Sequence, residues 1–211
     1  MSIRQPFFPP QAYAHIAGGL ENILEALPTA PEGHISPEQA EFLYALVRLT
    51  RPSFVVETGL CVGHSACIVM LAQLSIGVEP RMLSVDSCRF EQTQTAAMYL
   101  QSRFEYFTFV QGDSKSMLAS AVDAYVRANE GLTLGLGLVD GGHDHETVAS
   151  DLNVFSALLA VGGLIWLDDF GKVVPNLGVN LAGREFAARW GACHTFRSRG
   201  NRGIMLYQKH F

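Results

Sequence analysis

Phe54-Val55-Val56-Glu57-Thr58-Gly59-Leu60-Cys61-Val62-Gly63-His64-Ser65-Ala66 reads as a buried strand, a glycine-containing turn and the start of a helix. Phe54 to Val56 is a short aromatic and β-branched run, as in a strand covered on both faces. Gly59 and Gly63 let the backbone bend and approach a ligand closely. Ser65 to Leu74 reads as a helix whose free N–H groups face the turn. Glu57 closes the strand and brings a carboxylate to the same crevice. A carboxylate there disfavours a phosphate and favours a cation or a hydroxyl. Phosphate-cradling loops also need a Lys-Ser/Thr pair or a full G-x-G-x-x-G. Here Cys61 holds the middle position, so the dinucleotide pattern is incomplete. By itself the stretch fits an ordinary strand–helix turn equally well.

Outward from this turn, strand and helix patterns alternate. The sequence predicts strands over 53–58, 81–86, 106–110, 134–140, 163–168, 192–197 and 203–208. It predicts helices over 64–75, 92–104, 114–129, 145–160 and 182–190. This alternation argues for an α/β fold: a doubly wound, mostly parallel, seven-stranded Rossmann-like sheet with helices on both faces. Between the last two strands stands only Arg197-Ser198-Arg199-Gly200-Asn201-Arg202-Gly203, which predicts a C-terminal antiparallel hairpin. The Arg197, Arg199 and Arg202 cluster reads as its solvated tip.

Residues 1–52 precede the first strand and read as an arm and helices that cap the sheet. Residues 53–211 read as one compact domain. Pro6, Pro9 and Pro10 with Phe7 and Phe8 make an extended arm. Gln11 to Leu27 has apolar residues at helical spacing and ends at Pro28. Ser36-Pro37-Glu38-Gln39 is a capped helix start with an apolar face through Phe42, Leu43, Leu46 and Val47. The arm and these apolar helices lead us to expect a homodimer.

The chain has 211 residues, 48% hydrophobic and 17% charged, enough for one sizeable core. Its net charge of −5 supplies no electrostatic reason for nucleic-acid binding. Cys61, Cys67, Cys88 and Cys193 show no C-x-x-C spacing, and Cys67 and Cys193 read as buried small hydrophobes. With no signal peptide and no apolar run of membrane-spanning length, the reading is a cytoplasmic protein with reduced thiols and no membrane contact.

In an open α/β sheet, ligands bind outside the carboxyl ends of the strands. Glu57, Asp86, Asp113, Asp140 and the pair Asp168-Asp169 end five successive strands. Any one of them could be a turn residue or a helix cap. Together they are harder to ascribe to turns, because like charges repel unless something offsets them. Asp86 is suited to ribose hydroxyls. Asp113-Ser114 can bond an adenine edge or cap the next helix. Asp140, Asp168 and Asp169 are hard oxygen ligands that could hold Mg²⁺ or a similar ion. His143 stands at the same edge and can take a proton near neutral pH, or serve as a plain ligand contact. His145 reads as a solvated first-turn residue. A zinc site of His143, His145 and Asp140 is weak beside the hard Asp pair.

Assembled, these residues resemble the class I S-adenosylmethionine-dependent methyltransferases over roughly residues 53 to 208. The nearest branch is that of small O-methyltransferases, macrocin-type and catechol O-methyltransferase-like. Its acid-x-Gly-x-x-x-Gly-x-Ser pattern is matched by Glu57 to Ser65. Its Asp-Gly-x-His-x-Tyr-Glu is matched by Asp140 to Glu146, with His145 in place of Tyr. Its Gly-Gly-x-x-x-x-Asp-Asp is matched by Gly162 to Asp169. The resemblance implies that Glu57, Gly59 and Gly63 line the methionine end of S-adenosylmethionine, Asp86 the ribose and Asp113-Ser114 the adenine. Ser65, Ser87, Gly112 and Asp140 complete the implied cofactor set. Asp140, Asp168 and Asp169 look like the metal triad of the macrocin-type enzymes. His143 has the spacing of a catalytic lysine in the catechol-type ones.

The implied activity is methylation of a hydroxyl on a small-molecule acceptor, assisted by a divalent cation. Three other readings stand beside it: a metal-independent methyltransferase using His143, a metal-dependent hydroxylase-like relative, and a non-catalytic cofactor-binding protein. The acceptor surface is expected from residues 1–35 and a loop over 170–182.

Overall fold

The computed structural model describes residues 23–24, 26–28, 35–171, 177–191, 193–197 and 203–210. The elements are α1 (Pro37–Thr50), β1 (Val55–Thr58), α2 (His64–Ser75), β2 (Arg81–Asp86), α3 (Gln92–Arg103), β3 (Tyr106–Gln111) and α4 (Ser114–Ala128). They continue with β4 (Leu134–Val139), α5 (His145–Leu158), β5 (Leu159–Leu167), α6 (Leu177–Trp190), β6 (Cys193–Arg197) and β7 (Gly203–Gln208). The strands form a seven-stranded sheet in the order β3-β2-β1-β4-β5-β7-β6. β1 to β5 pair in parallel, and β7 runs antiparallel to both β5 and β6. The terminal hairpin is therefore present, with β7 inserted between β5 and β6. β1 pairs with β2 on one side and β4 on the other, so the strand order reverses between β1 and β4. A crevice opens at such a reversal.

Side-chain alternation builds two cores. Val55, Met82, Leu136, Leu138, Leu164 and Trp166 face α1, α2 and α3. Val56, Leu83, Val85, Ile165 and Leu167 face α4, α5 and α6. Strands buried on both faces read as continuous apolar runs, which is why β1, β2 and β4 were legible. α1 starts at the predicted box: Gln39 N donates to Ser36 Oγ at 3.2 Å, and Ser36 N donates to Gln39 Oε1 at 3.0 Å. Among the described residues no helix is long and apolar enough to cross a membrane.

Several boundaries differ from expectation. β5 begins at Leu159, which pairs with Leu134, so α5 stops two residues early. α6 begins at Leu177 and not at 182, and its Gly178 packs closely against a neighbouring loop described below. The 170–182 stretch is thus partly helical, and 172–176 lie outside the described residues. Cys67 is buried, but Cys193 on the edge strand β6 is only half-buried. The predicted arm and most of the 11–27 helix lie outside the described residues, as do Arg199 and Arg202. Ile23 and Leu24 are helical, and Leu24 and Leu27 join the core.

Candidate active site

The turn after β1 is shaped by one close approach. Gly59 has φ +92°, and a Cβ there would overlap the Asp140 carbonyl oxygen at the end of β4. Only glycine satisfies both demands, so the β1 and β4 loops meet at the strand-order reversal. Glu57 is fully buried on the α2 side of the sheet. Its Oε1 accepts from the Ser65 hydroxyl, and its Oε2 accepts from Ser84 Oγ at 2.7 Å. Burial pushes its carboxyl up to about 7, against the opposing effect of the two hydroxyls. The acid expected in the open crevice is instead enclosed at its base. Ser65, on the first turn of α2, is the residue that encloses it.

Asp86 ends β2 and joins two loops. Cys61 N donates to its Oδ2 at 3.0 Å, and Cys88 N donates to its Oδ1 at 2.6 Å. Cys61 has φ +50° and Cys88 φ +58°, conformations that side-chain-bearing residues adopt at a cost. The Asp86 carboxylate holds both turns, with Ser87 between its own residue and Cys88. Asp113 is the N-cap of α4, where Lys115 N donates to its Oδ1 at 3.0 Å. Gly112 N donates to the Asp86 carbonyl at 2.9 Å, which draws the β3 loop beside the β2 loop. Glu57, Gly59, Gly63, Ser65, Asp86, Ser87, Gly112, Asp113, Ser114 and Asp140 therefore all lie on or just beneath the loops at one sheet edge.

His143 completes that edge on the β4 side. Its Nε2 is 3.9 Å from Asp140 Oδ1 and 3.8 Å from Asp169 Oδ2. The imidazole is half-exposed, and Asp169 is largely covered. Asp169 has φ +57°, a left-handed turn that ends the alternation of β5. Asp144 follows as the N-cap of α5. Its two oxygens accept from Thr147 N at 2.9 Å and Thr147 Oγ1 at 2.7 Å, bonds that lower its carboxyl from the usual range. His145 is not a freely solvated residue. Its Nε2 lies 2.7 Å from Glu185 Oε2 and ties α5 to α6.

Asp168 goes elsewhere. It continues the alternation of Leu164 and Trp166 toward α1, and its Oδ1 accepts from Gln39 Nε2 at 2.6 Å and Trp166 Nε1 at 3.4 Å. Burial first, then the nearby Asp140 and Asp169, raise its carboxyl well above the usual range. Among the described residues no three His, Cys, Asp or Glu side chains form a set that could hold a metal ion. Asp140 and Asp169 thus stand beside His143, while Asp168, near enough for both acids to raise it, turns Oδ1 to Gln39. Of the zinc set, His145 faces Glu185.

Three residues of this site were not singled out from the sequence. Gln39 was legible as a helix cap and not as a partner of Asp168. Gly178 lets α6 start against the loop of His143: a Cβ there would overlap the His143 carbonyl oxygen and stand 2.5 Å from His145 N. Asp151 is buried on α5 among Val148, Leu152 and Phe155. An acid on an apolar helical stripe was a readable signal.

The fold agrees with comparisons to known proteins. A sequence comparison with curated proteins finds no match. Among solved structures, the chain is similar to an O-methyltransferase from Bacillus cereus in complex with SAH. That match has 15% identity over 90% of each chain and a TM-score of 0.66. It is also similar to the O-methyltransferase TomG from Streptomyces achromogenes, involved in tomaymycin synthesis and in complex with SAM. There the identity is 16%, over 97% of this chain and 92% of that one, with a TM-score of 0.65. The SAH-bound methyltransferase PaMTH1 of Podospora anserina matches at 15% identity, over 95% and 89%, with a TM-score of 0.64. At such identities the likeness establishes the fold. The family described as "Methyltransferase domain" matches residues 56–170, from β1 through the acids that follow β5. The chain therefore belongs to the methyltransferase-domain family, and is an enzyme of the class I methyltransferases that its motifs resemble.

Proposed function

We propose that this chain transfers the methyl group of S-adenosylmethionine to a hydroxyl of a small molecule, with His143 as proton acceptor. The observation that carries this reading is the half-exposed His143 imidazole between Asp140 and Asp169, beside the Gly59 turn. The cofactor assignment is supported by family membership and by the SAH and SAM held in neighbours of the same fold. In this reading Glu57, Gly59, Gly63 and Ser65 form the methionine end. Asp86 and Ser87 receive the ribose, and Gly112, Asp113 and Ser114 the adenine. Asp140 borders both cofactor and acceptor.

The sulfonium methyl is already electrophilic, so the protein supplies orientation and a deprotonated oxygen. The acceptor oxygen bonds the methyl carbon as the carbon–sulfur bond breaks and its electron pair returns to sulfur. The hydroxyl proton passes to His143 Nε2. Asp140 and Asp169, 3.9 and 3.8 Å from Nε2, offset the positive charge the ring gains.

A divalent ion could assist by lowering the pKa of the acceptor hydroxyl. Asp168 is engaged by Gln39 and Trp166, so an ion at these residues would rest on Asp140 and Asp169 or displace Gln39. Turnover that survives exhaustive chelation assigns the chemistry to His143; turnover lost and restored by Mg²⁺ assigns a metal.

The test is release of S-adenosylhomocysteine from S-adenosylmethionine across a panel of hydroxylated small molecules. His143→Ala should lower turnover about 10²–10⁴-fold and leave cofactor affinity within a few-fold. Unchanged turnover in that variant would overturn the assignment. Cofactor binding without turnover on any acceptor would favour the non-catalytic reading. We further propose that the enzyme acts in the cytoplasm as a homodimer. Sedimentation showing only a 23.0 kDa species at micromolar concentration counts against the dimer.

A further inference from the structure

Asp151 is 1% exposed on the apolar face of α5. A buried carboxylate is costly without partners, and the proposed chemistry does not use this one. Its side chain meets the hydroxyls of Thr58 and Ser114. Thr58 is the last residue of β1, and Ser114 the first of α4 after the β3 loop. Thr58 lies on the same face of β1 as Val56, the face that α5 covers. α5 itself issues from the loop that carries Asp140 and His143.

Asp151 thus touches the two loops to which the cofactor is assigned, from the helix that begins at the third. The contacts are incompletely made. Neither Asp151 oxygen, nor Thr58 Oγ1, closes a hydrogen bond of ordinary geometry within the protein. Buried polar atoms left short of partners cost stability, and in native proteins they call for an explanation. Asp113 and Asp144 are the acids that face Asp151; with burial as the largest cause, they hold its carboxyl up to about 6.

We propose that Asp151 is a positioning residue for the cofactor. Its carboxylate stands against the Thr58 and Ser114 hydroxyls, and bonding to them as the cofactor binds sets the spacing of the β1 and β3 loops that the cofactor spans. This rests on the cofactor site proposed above.

Calorimetry with S-adenosylhomocysteine tests it on the full chain. Asp151→Asn keeps the shape and removes a buried charge, so the variant should melt no lower than wild type near pH 7. It should bind S-adenosylhomocysteine roughly 10-fold more weakly. In turnover, the KM for S-adenosylmethionine should rise by a similar factor, with kcat at saturation within about threefold. A purely structural role would lower the melting temperature without that split. Thr58→Val, which leaves the acid in place, should weaken binding too. Combined with Ser114→Ala, the loss from Asp151→Asn should be less than additive. Affinity within twofold of wild type in both Asp151→Asn and Thr58→Val overturns the inference, as does full additivity with Ser114→Ala. If Asp151→Asn fails to fold, Thr58→Val alone decides. Wild-type protein that binds no S-adenosylhomocysteine overturns the cofactor site and this inference with it. Wild-type binding with unaffected variants overturns this inference alone.

Discussion

Gln39 Nε2 donates to Asp168 Oδ1 across 2.6 Å, joining residues 129 positions apart. The same amide accepts from Ser36 N and closes the cap of α1. One fully buried side chain therefore starts the helix that precedes the sheet and holds the acid that follows β5. Gln39→Leu should cost about 1–3 kcal/mol, because it leaves a buried acceptor and a cap N–H without their partner. Urea unfolding checks this, and an unchanged midpoint would show that the bond contributes nothing.

Of the buried acids with raised carboxyls, which include Asp168, Glu57 and Asp151 set two defined windows of pH dependence. Glu57 stands near 7 when folded against an ordinary 4.5, and Asp151 near 6 against 3.8. Both folded values are raised, so both acids stabilise the fold at low pH and lose that contribution as pH rises. The windows are 4.5 to about 7 for Glu57 and 3.8 to about 6 for Asp151. Ligand-free protein should be more stable near pH 5.5 than near pH 8, with Glu57 accounting for about 2 kcal/mol of the difference. Glu57→Gln should remove that part of the slope. A slope of the same size in the variant would rule out Glu57 as its source.

Asp86→Ala should weaken S-adenosylmethionine binding by about 1.5–3 kcal/mol, or 10- to 150-fold. The loss has two sources. The carboxylate is the group assigned to the ribose, and it holds the strained turns at Cys61 and Cys88. Asp86→Asn can still accept from one of the two N–H groups and should fall between. Calorimetry that ranks Asn with Ala would argue against the turn-holding contribution.

Gly178→Ala puts a methyl group onto the backbone of the His143–His145 loop. Either α6 retreats or the loop does, and both displace His143. A shift near 1 Å at the reacting centre should lower kcat by roughly 10- to 100-fold while cofactor affinity stays within a few-fold. Equal losses in kcat and in cofactor affinity would mean that the substitution disturbs the fold at large.

Much of this molecule is written in short-range rules. The apolar run before Glu57, the glycine at 59 and the helix start at Ser65 obey local sterics. The Ser36-Pro37-Glu38-Gln39 box and the C-terminal hairpin need only neighbours in sequence. Acids at successive strand ends were countable without coordinates, because strand termini in a parallel sheet share one edge. What those acids do was not countable. Whether Asp168 faced an ion or an amide depended on which face of β5 it continued and on a glutamine on α1. Whether Glu57 stood in the crevice or beneath it depended on Ser65 and Ser84, on two other elements. α6 starts at Leu177 despite the low helix propensity of Gly178, whose close approach to the His143–His145 loop no window of sequence shows. β7 lies between β5 and β6, an order the hairpin alone leaves open. Asp151 comes against Thr58 and Ser114 only when β1, α4 and α5 pack together. Local pattern selects elements through backbone sterics and burial; partners of a buried polar group come from packing between distant segments, which no window of sequence contains.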